Sequence, residues 1–223
     1  NEELIYTTIT ALKECLRTFG MDAVFMRGSV VSNGGNGGWG GTGGAISISS
    51  SSGNIDYGGV LSSEGGNDSG NVIGGNGGNI TLWSNSGGSF GYINLGSSAN
   101  INSGGGNITL GGGNNSGLLP TGYATGTTDT MLTNGIMTGG SNNILSAGGN
   151  IVLMGQGSNV NANVLSAGLY IQSTVFNSGV GKISLTGVGV GSGSTNVQAV
   201  TMSDSTVTSA NTASDAITIA ANT

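Results

Sequence analysis

The sequence predicts an all-β chain wound as a parallel β-helix (a β-solenoid), preceded by a short N-terminal segment with a helical pattern. Three observations predict it. An apolar-x-apolar tripeptide recurs along the chain, glycine and asparagine flank its copies, and charge is nearly absent where the copies lie.

The copies of the tripeptide are GAISI (44–48), GNITL (78–82), GYINL (91–95), GNITL (106–110), GNIVL (149–153), GKISL (181–185) and DAITI (215–219). Side chains alternate along a strand, so the first and third residues of each tripeptide share a face. Ile46, Ile48, Ile80, Leu82, Ile93, Leu95, Ile108, Leu110, Ile151, Leu153, Ile183, Leu185, Ile217 and Ile219 are therefore expected to line a core. The residues between them are Ser47, Thr81, Asn94, Thr109, Val152, Ser184 and Thr218, expected on the outside. Strands this short do not make a sandwich of ordinary length. Stacked coils accommodate them, with backbone hydrogen bonds running along the stack. A coil of about 20 residues predicts about eight to ten coils over 28–223, or roughly 40–48 Å at about 4.8 Å per coil.

Glycine supplies the second signal. There are 47 glycines in 223 residues, and those beside the tripeptides are expected to give the positive-φ corners between short strands. Collagen is excluded, because the glycines keep no three-residue period and Pro120 is the single proline.

Charge supplies the third. Only four basic and ten acidic residues occur, and no histidine. A charge repeated in every coil would stack on its like, whereas Asn, Ser and Thr hydrogen-bond up and down a ladder. Four basic residues at a net charge of −6 leave no electrostatic footprint for nucleic acid and no basic stripe for a membrane surface. No run of 18 apolar residues occurs, so no transmembrane helix is expected.

Composition changes at Arg27-Gly28. Half of the charges lie in residues 1–27, while 46 of the 47 glycines follow them. The expected organisation is therefore an N-terminal segment, 1–27, and a solenoid, 28–223. Ile5, Ile9, Leu12, Leu16 and Phe19 recur at helical spacing, which predicts an amphipathic helix over 2–19. Tyr6-Thr7-Thr8-Ile9-Thr10 is β-prone, and a strand is the other reading. Cys15 is the only cysteine and has no partner for an internal disulfide. The chain begins at Asn1 without a signal-peptide pattern and reads as a processed or excised product.

GGNITL, LSAGGNIVL (145–153) and GKISLTGVGVGSG (181–193) resemble the repeats of large secreted β-helical proteins of the filamentous-haemagglutinin and autotransporter-adhesin type. The resemblance covers about residues 41–223. It implies a right-handed parallel β-helix, export through the type V pathway, and a role in adhesion or extracellular fibres.

Reactive chemistry is sparse. GKIS at 181–184 lacks the earlier glycine of a phosphate-binding loop, and no GxG sits in a strand-loop-helix unit. GGNGGNITL (74–82) has the spacing of a calcium β-roll repeat, but Asn79 stands where the aspartate belongs. Beyond residue 27 the acids are Asp56, Glu64, Asp68, Asp129, Asp204 and Asp215, and the only base is Lys182. A polysaccharide-active β-helix needs paired carboxylates, and these are isolated in sequence. No cofactor, metal or catalytic residue is assigned. An ice-binding face needs a repeated threonine ladder, and the outer residues are mixed.

The least repetitive stretch, 117–140, reads as degenerate coils or as a hairpin projecting from the solenoid. The expectation is an extracellular or cell-surface structural protein. Its last coil would be covered by another copy, with Ile5, Ile9, Leu12, Leu16 and Phe19 as candidate inter-subunit contacts. A heterologous contact of that kind builds a head-to-tail filament. The competing expectation is a monomeric adhesin module that binds a glycan.

Overall fold

The computed structural model describes residues 23–36, 40–67, 74–87, 90–113, 117–127, 133–158, 165–191 and 196–223. The helix expected over 2–19, the contacts expected of Ile5, Ile9, Leu12, Leu16 and Phe19, and Cys15 lie outside the described residues. Within them the chain is an all-β parallel β-solenoid of about five turns, with no helix.

Six rungs stack in chain order. The first holds β1 (Val24–Val31) and β2 (Ile46–Ser49), and the second β3 (Ile55–Ser62) and β4 (Ile80–Trp83). The third holds β5 (Ile93–Leu95), β6 (Asn100–Asn102) and β7 (Ile108–Gly111), completed by β8 (Ala124–Thr125). The fourth holds β9 (Ile136–Thr138), β10 (Asn142–Leu145) and β11 (Ile151–Gln156). The fifth holds β12 (Ser166–Gln172), β13 (Thr174–Asn177) and β14 (Ile183–Val188). The sixth holds β15 (Val197–Ser203), β16 (Thr206–Thr208) and β17 (Ile217–Asn222). Strand pairing reaches back to Val24, ahead of the composition step at Arg27-Gly28, because pairing follows the Val24, Met26 alternation and not glycine content.

Each turn has three sides. The third side is the column β2, β4, β7, β11, β14, β17, paired parallel throughout. The other two are the column through β5, β9, β12 and β15 and the column through β6, β10, β13 and β16. They join because β3 bends at Gly58-Gly59: residues 55–57 pair with β5 and residues 60–62 with β6.

This architecture corrects the expected coil count. GNIxL marks one side of a three-sided turn, so successive copies on the third side lie a whole turn apart, at Ile46, Ile80, Ile108, Ile151, Ile183 and Ile217. Five steps replace eight to ten, and the rise is about 24 Å at about 4.8 Å per step. GYINL is the exception among the copies, for Ile93 and Leu95 lie on β5 of the first side.

The core is a column of aliphatic side chains. Ile80, Leu82, Ile93, Leu95, Ile108, Leu110, Ile151, Leu153, Ile183 and Leu185 are all fully buried, as expected, and Ile46 is 6% exposed. The other two sides add Ile55, Tyr57, Leu61, Ile101, Ile136, Ile144, Leu169, Ile171 and Phe176. The Tyr57 hydroxyl lies 2.9 Å from Gly28 O and 2.8 Å from Val60 O, and burial pushes its phenol up to about 12.

The corners show what the motif's flanking residues do. The glycine before each tripeptide was expected to supply positive φ. Gly78, Gly106, Gly149 and Gly181 have no positive φ; instead, a Cβ on each would overlap the carbonyl of the preceding rung (Gly44 O, Gly78 O, Gly106 O and Gly149 O). Glycine is required there for backbone approach. Positive φ does fall one or two residues before those glycines, at Gly104, Gly105, Ala147, Gly148 and Gly179, as well as at the corner between the first two sides, at Gly28, Gly59, Ser98, Gly140, Ser173 and Asp204. Three buried serines brace the other corner. Ser103, Ser146 and Ser178 donate to Gly106 O, Gly149 O and Gly181 O at 2.5, 2.5 and 2.7 Å.

Asparagine links the rungs. Asn79, Asn107 and Asn150 each accept, through Oδ1, the N–H of the next rung's equivalent residue at 2.8 Å: Asn107, Asn150 and Lys182. Asn79 and Asn107, which flank the tripeptides, are therefore ladder residues. The ladder ends at Lys182, whose Nζ reaches the two oxygens of Asp215 at 2.7 and 2.6 Å.

Candidate association surfaces at the two ends of the stack

The repeat that builds the core also fixes what each end presents. On the third side every isoleucine donates its N–H to the next rung: Ile46 to Asn79 O, Ile80 to Asn107 O, Ile108 to Asn150 O, Ile151 to Lys182 O and Ile183 to Ala216 O. Ile217 is next in this series. Among the described residues no rung follows it, so its N–H points off the end of the stack.

Its side chain shares that fate. Ile217 and Ile219 stand directly on Ile183 and Leu185, both fully buried, yet they are 40% and 50% exposed. They were expected in the core; the correction is physical, since a solenoid residue is buried by the rungs on both sides of it. Val200, Met202 and Val207 pack against the core from the same rung and are only partly buried. The first described rung is similar. Val24, Met26, Val30 and Ile48 are partly buried against the core, and Phe25 and Val31 are exposed outside it.

The ends differ in charge. Among the described residues of the first rung, Arg27 is the only charged one; those of the sixth are Asp204 and Asp215. Arg27 lies 4.4 Å over the Phe25 ring and 3.0 Å from Asp56 of the second rung. The Lys182 hydrogen bond holds the exposed Asp215 carboxyl below its ordinary value. Asp204 occupies the positive-φ corner, with φ of 49°.

The remaining acids are dispersed. Glu64 accepts from Asn102 Nδ2 at 2.7 Å and from Ser62 Oγ at 3.1 Å, within a polar ladder that includes Asn33. Asp68 and Asp129 lie outside the described residues. Among the described residues no three acids, histidines or cysteines gather as a metal-holding group.

The lateral face of the third side was expected to carry its middle residues outward. Ser47 and Thr218 are exposed, but Thr81 and Thr109 are 4% and 8% exposed. Beside them the chain leaves the rung after β7 and returns as β8. Gly112 and Gly122 exchange two 3.0 Å hydrogen bonds at the neck of this excursion, and Trp83 Nε1 donates to Gly113 O at 2.9 Å. Pro120 is buried, while Leu118 at the tip is 94% exposed. Among the described residues of 117–140, part of the stretch belongs to this excursion closed by the antiparallel Gly112–Gly122 bridge, β8 pairs with β11, and β9 is a regular strand of the first side. The 43-residue spacing from Ile108 to Ile151 accommodates the excursion.

Sequence reasoning found the third side and missed Ser103, Ser146 and Ser178. Their signal was present as S-x-x-G-[NK]-I-x-L in three successive rungs. Comparisons with family models, with curated proteins and with solved structures each give no match to this chain.

Proposed function

We propose that this chain is a structural solenoid of an extracellular or cell-surface fibre, built by head-to-tail stacking of copies. The observation that carries this is the sixth rung, where Ile217 and Ile219 lie half-exposed above a fully buried column and the Ile217 N–H meets no further rung among the described residues. An uncovered parallel edge with an apolar cross-section is a template for another strand. The first and last rungs are different surfaces, so their contact is heterologous and propagates without closing. The resemblance of the GNIxL rungs to filamentous-haemagglutinin and autotransporter-adhesin repeats supports the extracellular setting, as does a surface with few charges.

The test is sedimentation of the full chain over a wide concentration range, paired with electron microscopy. Rods that lengthen in steps of one solenoid are expected. A single-chain species at the highest concentration contradicts the proposal.

A further inference from the structure

The five core columns run the length of the stack, and each can be followed residue by residue. One is Val24, Ile55, Ile93, Ile136, Leu169, Val200, and its neighbour on the same side is Met26, Tyr57, Leu95, Thr138, Ile171, Met202. The second side gives Val30, Leu61, Ile101, Ile144, Phe176, Val207. The third gives Ile46 through to Ile217, and Ile48, Leu82, Leu110, Leu153, Leu185, Ile219.

Every column begins and ends on the same residue: valine, methionine, valine, isoleucine, isoleucine. The interior is mixed: the column from Ile46 to Ile217 is isoleucine at every rung, whereas others change along the stack. The methionine column has no two identical neighbours between its ends, and the last column changes from isoleucine to leucine and back. The two end cross-sections therefore match in shape at all five positions, and like side chains of equal volume fill a parallel joint without a void or an overlap.

We infer that the end-to-end joint is a second copy docked in the register of the interior rungs, β2 of one copy on β17 of the other and β1 on β15 and β16. This rests on the head-to-tail reading and specifies its partner and geometry. Val24 meets Val200, Met26 meets Met202, Val30 meets Val207, Ile46 meets Ile217 and Ile48 meets Ile219. The Ile217 N–H then donates to Ala45 O of the arriving copy, repeating the bond that Ile183 makes to Ala216 O. Charge agrees with this polarity. Arg27, one residue beyond Met26, arrives above Ser203 and beside Asp204, so the cationic rung meets the rung with two acids. Gly28 lands on Asp204, continuing the positive-φ corner.

Cross-linking reads the register directly. Ser47 and Thr218 are outward, exposed and paired in this joint, with Cα atoms about 4.8 Å apart, inside the span of a disulfide. In a Cys15→Ser background, Ser47→Cys with Thr218→Cys should oxidise to a covalent ladder of dimers and longer species. Ser47→Cys with Ala220→Cys is slipped by two residues to about 8 Å and should yield at least about tenfold less. Phe25→Cys with Thr201→Cys tests the first side in the same way, and keeps the test decisive if the first pair misfolds. Rods with no in-register cross-link, or with equal yield from the slipped pair, overturn the register and leave end-to-end stacking standing. Single chains with no cross-link overturn both.

Discussion

The strands β11 and β17 carry nearly the same sequence signal, Ile-Val-Leu and Ile-Thr-Ile, on the same side of the solenoid. Ile151 and Leu153 are fully buried; Ile217 and Ile219 are 40% and 50% exposed. Their residues do not differ in kind, only in whether a rung lies on each side. Burial in this fold is a property of the stack and not of the strand, because each rung contacts only its neighbours. The same difference extends to the backbone, where Ile151 donates onward to Lys182 O and Ile217 has no described acceptor.

Truncation of the two isoleucines tests that contrast most strongly. Ile151→Ala should cost about 2–5 kcal/mol by removing close-packed methyls between two rungs. Ile217→Ala in dilute solution should cost under about 1 kcal/mol, since half of that surface is already hydrated. Chemical denaturation of the two variants at low concentration measures both, and equal losses would mean that the sixth rung is covered.

A glycine change at the interior corner comes next. Gly149→Ala places a Cβ against Gly106 O, which lies in backbone and cannot rotate away. The expected loss is about 1–3 kcal/mol by thermal or denaturant unfolding. The sixth rung has Asp215 where this glycine column would continue, so only interior rungs carry that sensitivity.

How far this contrast was legible in the sequence depends on the residue. The tripeptides showed the third side, because Ile and Leu alternate there with small polar residues. The first two sides have no fixed motif: VFMRGSVV, IDYGGVLS and SAGLYIQ share a face only through their register. Counting one motif per short coil therefore overestimated the number of turns. Gly106 and Gly149 were visible as glycines, but their reason was not, since close approach to a carbonyl one rung away is a long-range fact. Ile217 and Ile219 were read as core because DAITI differs little from GKISL. Nothing local distinguishes a covered rung from an uncovered one.

The asparagine ladder offers a smaller probe. Asn107→Ala removes the acceptor of the Asn150 N–H, an exposed group that water can then solvate. A loss of about 1 kcal/mol is expected in the same unfolding measurement. The Lys182–Asp215 pair that ends the ladder is smaller still. The folded Asp215 carboxyl titrates below its ordinary value, so its contribution is present above about pH 4 and fades as pH falls through the folded value. Lys182→Ala should remove that small contribution at neutral pH and converge with the parent chain as pH falls; a difference between the two that does not close in acid would assign the dependence to another group.

Hydrogen exchange at the amides of Ile217 and Ile219, followed as a function of protein concentration, tests the central claim most directly. Fast exchange is expected for dilute single chains, slowing in assembled rods to the rate of the Ile183 amide. Exchange that stays fast in rods, or is already slow in single chains, would contradict an end rung that another copy covers.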